Sequence, residues 1–403
     1  MPSRPSMPSV PSIPDEDVLV IEGPIAAEDT PPVVETRPGW EARLGWVWRP
    51  VLIFAASRLA VLVAAGVASQ VVPGLGVAGA LQKWDGAWFL NVIQNGYPTA
   101  VPMIDGHVAP STICFFPLFP AAVRAVHWLG IGVVPAAFIV VTIAGLVAVL
   151  VLWRLLCAVR GPQSADRGVA LVCFFPGALV FSMLYSEALM LGLTAGSLLA
   201  LYRRRWITAG LLAALAGLTR FNGIVLVLPC AWAAFDAVRR RREWRALAAP
   251  ALAPLGSLAF MVYLWIHTGV ADAYFRTQRE GWGQKIDPTG SLDAVSAFIR
   301  QPFGAVNITV VVAALLFIAA AGVALVRARP PAILVLYAVG CVAVSLLTPG
   351  LAFAPRFLVM AFPLVTAFAD ALPANGFTAL VGAEAVLLGA WSVLVLSSTT
   401  VGP

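Results

Sequence analysis

The stretch VPAAFIVVTIAGLVAVLVLWRLL, residues 134–156, decides the fold. It carries one charge, Arg154, in twenty-three residues, and a helix that crosses a bilayer needs about 20 apolar residues. A helix this apolar on every side belongs in lipid or in the centre of a large protein. Arg154, Arg160 and Arg167 sit at its end, and arginine clusters of this kind mark the cytoplasmic ends of spans. Outward from this run, the same alternation of apolar segment and arginine cluster covers most of the 403-residue chain. The chain is 60% hydrophobic and 11% charged, with mean hydropathy +0.89, where a soluble domain has roughly 25% charged residues. The bilayer is therefore its solvent, and the expected class is an all-α polytopic membrane protein. The net charge of +6 lies in short clusters between apolar runs. With no basic-aromatic module, it argues against nucleic acid as a partner.

Upstream, residues 46–69 form a first span preceded by Arg37, Arg43 and Arg49, which sets the N-terminus inside. Residues 1–42, rich in Pro, Ser and acids, read as a disordered cytoplasmic tail, and 43–403 as one transmembrane domain. Downstream come two tight hairpins, 169–201 and 206–235. They break at Tyr185-Ser186-Glu187 and at Thr219-Arg220-Phe221-Asn222-Gly223, and return to arginine runs at 203–205 and 239–242. With only about 15 residues per pass, they imply tilt or a thinned membrane. Segments 246–267, 305–326, 332–348, 354–369 and 377–396 bring the expectation to about eleven spans, C-terminus out. Residues 115–130, with Pro117 and Pro120, read as re-entrant or interfacial, because a span there would put the cluster at Arg154, Arg160 and Arg167 outside. The five cysteines form no CxxC pair, and most behave as small hydrophobes in or beside the apolar runs.

This topology sorts the polar residues. Seventeen of twenty-four arginines fall inside. Arg58, Arg124, Arg220, Arg276, Arg279, Arg300 and Arg356 do not, nor do Lys83 and Lys285, so these need another reason. Arg58 and Arg220 lie within or at the tip of spans, where a charge costs about 2.5 to 3.5 kcal/mol, and such a residue faces a cavity and pairs with an anion. Glu187 has the same standing with opposite sign. The first outside segment opens Lys83-Trp84-Asp85-Gly86-Ala87-Trp88-Phe89, an aromatic amphipathic stretch suited to the headgroup level. Asp85 there either meets the head of a lipid or caps its helix. Arg276, Gln278, Arg279, Trp282 and Lys285 form a basic-aromatic run that suits a phosphate or a solvated loop. Arg356 either points at a lipid phosphate or snorkels to the interface. Asp105 and His107 lack a third metal ligand, so a divalent metal is possible but unsupported and no cofactor is assigned. His127 and His267 read as structural hydrogen-bonding residues. The chain has no P-loop, GxGxxG, HExxH or GxSxG motif.

Trp84-Asp85-Gly86, Gly96-Tyr97, Phe115-Phe116-Pro117-Leu118-Phe119-Pro120, Tyr185-Ser186-Glu187, Arg220-Phe221-Asn222-Gly223 and Arg356-Phe357, in that order, resemble the PIG-V-type mannosyltransferases of the GT-C glycosyltransferase class. Phe221 departs from eukaryotic members, which carry a small Ser before Asn-Gly. The resemblance implies a GT-C-type fold of about eleven transmembrane helices with a long first extracytoplasmic loop. It further implies a polyprenyl-phosphate sugar donor, usually mannose, and a catalytic acid at Asp85. High Ala and Arg with only two Lys look bacterial, so the expected acceptor is an envelope glycolipid, lipoglycan or protein at the plasma membrane. Asp85 is then a general base in an inverting displacement. Arg356, Arg220 and Lys83 are phosphate partners, Trp84, Glu187 and Asn222 flank donor and acceptor, and the run containing Arg276, Gln278 and Trp282 is a lid. The rival expectation is a transporter or flippase of a lipid-linked sugar; the chain shows no repeated half in its favour.

Overall fold

The computed structural model describes residues 45–287, 289–347 and 355–403; the tail expected over 1–42 lies outside the described residues. In chain order the helices are α1 (Trp48–Val71), α2 (Val77–Leu81), α3 (Asp85–Asn95), α4 (Leu118–His127), α5 (Val133–Arg160), α6 (Pro162–Phe174), α7 (Glu187–Tyr202), α8 (Trp206–Gly217) and α9 (Val227–Arg241). They continue as α10 (Ala248–Leu252), α11 (Leu255–Thr268), α12 (Ala273–Arg276), α13 (Gly290–Arg300), α14 (Val306–Ala328), α15 (Ala332–Leu347), α16 (Pro355–Met360), α17 (Phe362–Val365), α18 (Phe368–Ala371) and α19 (Ala374–Ser397). One two-stranded hairpin, β1 (Met103–Ile104) with β2 (His107–Val108), interrupts the loop after α3.

Among the described residues six helical stretches are long and apolar enough to cross a membrane: Trp48–Val71, Val133–Arg160, Phe221–Arg241, Trp244–Thr268, Val306–Ala328 and Ala374–Ser397. The other expected passes are helical but short, as in Glu187–Tyr202, Trp206–Gly217, Ala332–Leu347 and Phe362–Ala371. The segment at 115–130 yields only α4, ten residues, about 15 Å at 1.5 Å per residue, half the hydrocarbon thickness. It lays Phe119 and Val123 into a cluster with Phe89 of α3 and Val140 of α5.

Small residues let the central helices close up, as lipid-embedded helices require. Gly192 of α7 lies against the backbone of Ala148 in α5, and Gly256 of α11 lies against the Ala214 carbonyl of α8. The two helix breaks have local causes. Pro176 lacks an N–H and pushes Phe175 to an extended conformation (ψ 140°), so α6 gives way to a 3-10 segment, Pro176–Phe181. Arg220 is extended (φ −158°, ψ 152°) between α8 and a 3-10 segment, Phe221–Leu226.

Arg58 shows why a charge sits inside α1. Its Nη1 donates to the Ala178 carbonyl (2.5 Å) and the Ser182 hydroxyl (3.1 Å), and Nη2 donates to the Cys173 carbonyl (3.0 Å). Phe54 and Phe181 lie 5.3 and 5.7 Å from the guanidinium. The expectation of an anionic partner is thus corrected: Arg58 satisfies carbonyls around the Pro176 break. Arg124 does similar work on α3, donating to Val92 and Ile93 at its C-terminal end.

Candidate active site

Asp85 is the first residue of α3, and its side chain makes no cap; the capping alternative fails. The turn before it is pinned from two sides. Lys83 donates from Nζ to the carbonyls of Leu396 (3.0 Å) and Ser398, and Trp84 donates from Nε1 to Val395 (3.2 Å). On the other side the Asp85 N–H donates to the Tyr185 hydroxyl (3.0 Å), and Leu184 N–H to the Leu81 carbonyl (3.1 Å). Trp84 sits at φ +60°, a conformation uncommon for a residue with a Cβ; these contacts hold it there.

Three distant segments converge on this turn. Arg356 Nη1 donates to Asp85 Oδ2 at 2.6 Å, and Arg220 Nη2 lies 3.7 Å from the same oxygen. Arg220 Nη1 donates to Glu187 Oε1 at 2.5 Å. Glu187 is 1% exposed and Arg356 6% exposed. Phe357 lies 4.8 Å from the Arg356 guanidinium and 5.5 Å from that of Arg220, with the Tyr185 ring 5.7 Å from Arg356. Two cations and two carboxylates thus compensate one another, as buried charges must. The compensation is incomplete at the atomic level. Among the described residues Glu187 Oε2 and Arg356 Nε are buried with no hydrogen-bond partner. Asp85 Oδ1 also has none among the described residues.

The sequence motifs are the scaffold of this group. Leu118 N–H, in the Phe-Phe-Pro-Leu-Phe-Pro string, donates to the Leu218 carbonyl (3.0 Å), and Phe116 packs on Phe260 at 4.6 Å. The hydrogen bond fixes the turn that carries Arg220, and Leu218 and Phe221 of that turn pack against the cluster that holds Phe116 and Phe260. A Cβ at Gly223 would meet the backbone of Ala216 and Gly217 at 2.5 Å, so the chain returns tightly there. The Tyr185 segment is set by the 3-10 stretch before it. Gly177 in that stretch lies against the backbone of Pro355 and Arg356, with no room for a Cβ.

The remaining expected site residues are placed otherwise. Lys83 caps the C-terminal end of α19, a favourable place for a cation, and its phosphate role is corrected accordingly; burial lowers its pKa from the usual lysine value. Trp84 packs on Gly402 and anchors that same corner. Asn222 is half-buried next to Arg220, with no side-chain hydrogen bond among the described residues. Arg276 and Arg279 both pair with Glu280 (3.2 and 3.1 Å), and Arg279, then Arg276, holds that carboxyl below its usual range. Gln278 donates to the Tyr274 hydroxyl (3.1 Å), and Trp282 packs edge-on to Trp88 (5.0 Å) and Phe115 (5.9 Å). This run therefore reaches the site through aromatic rings and not through charge: Tyr274 lies 5.4 Å from Phe221, the neighbour of Arg220.

Asp105 and Gly106, both at positive φ, form the β1–β2 turn. Among the described residues no group of three or more His, Cys, Asp or Glu is placed to hold a metal. His127 Nδ1 lies 2.6 Å from the Ile131 carbonyl and His267 Nε2 3.3 Å from that of Tyr97, both structural contacts. Nothing in the sequence assigns a role to Tyr185, Tyr274 or Phe357; Tyr185 in Tyr185-Ser186-Glu187 and Phe357 in Arg356-Phe357 are signalled only by those strings.

The geometry meets known proteins at this point. The model of the mannosyltransferase (PIG-V) family matches residues 54–249. That stretch includes Asp85, Glu187 and Arg220 but not Arg356. GPI alpha-1,6-mannosyltransferase 2 of Cricetulus griseus is 31% identical over 172 residues, 39% of this chain and 32% of the relative. The Mus musculus protein of the same name is 31% identical over 178 residues, 41% and 33% of the two chains. The matches thus span about a third of the length of these curated relatives. The structure of ArnT from Cupriavidus metallidurans bound to undecaprenyl phosphate superposes with a TM-score of 0.52 at 14% identity, covering 85% of this chain and 63% of that one. The chain is similar to PIG-V mannosyltransferases over residues 54–249, and it shares its fold with the ArnT structure.

Proposed function

We propose that the chain is a mannosyltransferase that moves a sugar, with mannose the first choice, from a polyprenyl-phosphate donor to an extracytoplasmic glycolipid, lipoglycan or protein. The observation that carries this reading is the Asp85 carboxylate. One oxygen is held by two guanidiniums from far along the chain, and the other has no hydrogen bond among the described residues. Similarity to PIG-V mannosyltransferases supports the transfer, and the undecaprenyl phosphate bound to ArnT supports the donor class.

In this reading the donor phosphate enters beside Arg356 and Arg220, whose forked donors suit phosphate oxygens. The phosphate competes with Asp85 for the guanidiniums and leaves the carboxylate oxygens to the acceptor hydroxyl. The acceptor hydroxyl gives its proton to Asp85 Oδ1 while its oxygen attacks the anomeric carbon. The bond from that carbon to the phosphate oxygen breaks, its electron pair leaves on polyprenyl phosphate, and the configuration inverts. Phosphate is a good leaving group, so no second carboxylic acid is needed to protonate it, unlike in a glycosidase. The Asp85 end faces the extracytoplasmic side of the plasma membrane and the arginine-rich turns the cytosol.

The test is transfer by the purified chain in detergent, with polyprenyl-phosphate mannose and an extract of host membranes as acceptor. The wild type is expected to turn over without a sealed membrane, and Asp85→Asn to lose at least about 100-fold, the lower range for a positioned general base, while inserting normally. Undiminished turnover in Asp85→Asn would remove the assignment of the base. Activity confined to sealed vesicles would favour a lipid-sugar transporter.

A further inference from the structure

The helices that carry the Asp85 group have second ends. α7 runs for sixteen residues from Glu187 to Tyr202, about 24 Å along its axis. α8 starts there at Trp206, α9 returns there at Arg241, and α15 starts beside them. Their ends frame an open cavity of about 440 Å³ whose lining includes Tyr202, Arg204, Trp206, Trp232, Arg240 and Arg241. Among the described residues Asp236 is the one carboxylate in that lining, and it pairs with Arg240 at 2.6 Å. Arg204 pairs with Glu243, which does not line the cavity. Arg241 has no carboxylate within ion-pairing distance among the described residues, although it acts at longer range on Glu243. Three arginines, Arg204, Arg240 and Arg241, line the cavity against Asp236, so its mouth carries a net positive charge.

From this mouth an apolar track leads toward the other end of the bundle. Leu228, Trp232 and Phe235 are 49%, 45% and 54% exposed, and their spacing of four and three puts them on one face of α9. Trp232 belongs to both the track and the cavity. A free anion has use for the arginines but none for the track. A phospholipid uses both, with its phosphate among the guanidiniums and an acyl chain along the helix face. We propose that this cavity binds the headgroup of an anionic phospholipid in the leaflet opposite the Asp85 group. Basic pockets between the cytoplasmic ends of transmembrane helices have this chemistry. The inference rests on membrane embedding and stands apart from the transferase reading.

The test is native mass spectrometry of the full chain, delipidated in detergent and offered phosphatidylglycerol, phosphatidylcholine or inorganic phosphate. Phosphatidylglycerol is expected to stay bound under activation that strips phosphatidylcholine. The pair Arg240→Gln with Arg241→Gln is expected to retain roughly tenfold less of it or lower. The corresponding Lys pair retains most of it, and Trp232→Ala, with no change in charge, also loses retention. Arg276→Gln with Arg279→Gln, at the other end of the molecule, leaves retention unchanged. Equal retention of both lipids, no loss in the Gln pair, or displacement of phosphatidylglycerol by millimolar inorganic phosphate with Trp232→Ala silent would each overturn the proposal.

Discussion

At the scale of single residues the site is a contest for two guanidiniums. Asp85 and Glu187 hold Arg356 and Arg220 in the structure, and a donor phosphate would enter as a third claimant. Arg356→Lys keeps the charge but loses the fork, so KM for polyprenyl-phosphate mannose is expected to rise about tenfold, with kcat falling less. Steady-state kinetics on purified protein reads this directly, and an unchanged KM would take Arg356 out of donor binding. Glu187 is at the start of α7, where a negative charge meets the positive end of the helix dipole, and it is nearly fully buried. Glu187→Gln removes the compensating charge from Arg220 and is expected to cost about 1 to 3 kcal/mol. Thermal unfolding in detergent should show a lowered midpoint; an unaltered one would mean that Asp85 alone suffices for Arg220.

At the scale of elements, two broken helices deliver the chemistry. The break at Pro176 produces the 3-10 stretch against which the start of α16, with Arg356, rests, and Arg58 holds the two sides of the break by the Cys173 and Ala178 carbonyls. Gly177→Ala puts a methyl group into the Pro355 and Arg356 backbone. A shift of about 1 Å at a reacting group costs on the order of 100-fold, so transfer is expected to fall that far with Asp85 untouched. A Gly177→Ala chain of wild-type activity would show that the Arg356 turn tolerates displacement. Arg58→Met is expected to lower both stability and transfer, because it strands buried carbonyls. Arg58→Lys, with three donors on one nitrogen, recovers part of each. The same segment explains why a sequence reading of Arg58 goes astray. Its position in α1 announces a costly buried charge, but the partners are backbone carbonyls, and these leave no trace in composition.

At the scale of the whole molecule, short hairpins sort the polar residues between two ends. Glu187 and Arg220 go to one, and the arginine runs 203–205 and 239–242 to the other. A membrane-impermeant thiol reagent is expected to label Arg300→Cys from outside intact cells and Arg203→Cys only after permeabilisation. The reverse pattern would invert the orientation proposed here. The all-α character, the membrane class and most helix positions follow from the sequence alone, because apolar run length and arginine clusters are local quantities set by the bilayer. Asp85 stands out locally as an acid in an aromatic stretch, Lys83-Trp84-Asp85-Gly86-Ala87-Trp88-Phe89. The meeting of Asp85 with Arg356, 271 positions apart, was decided by the tertiary structure. So was the diversion of Lys83 to the end of α19. A guanidinium or an ammonium can serve an anion or a row of carbonyls equally well, and only the packing of distant helices settles which of the two lies within reach.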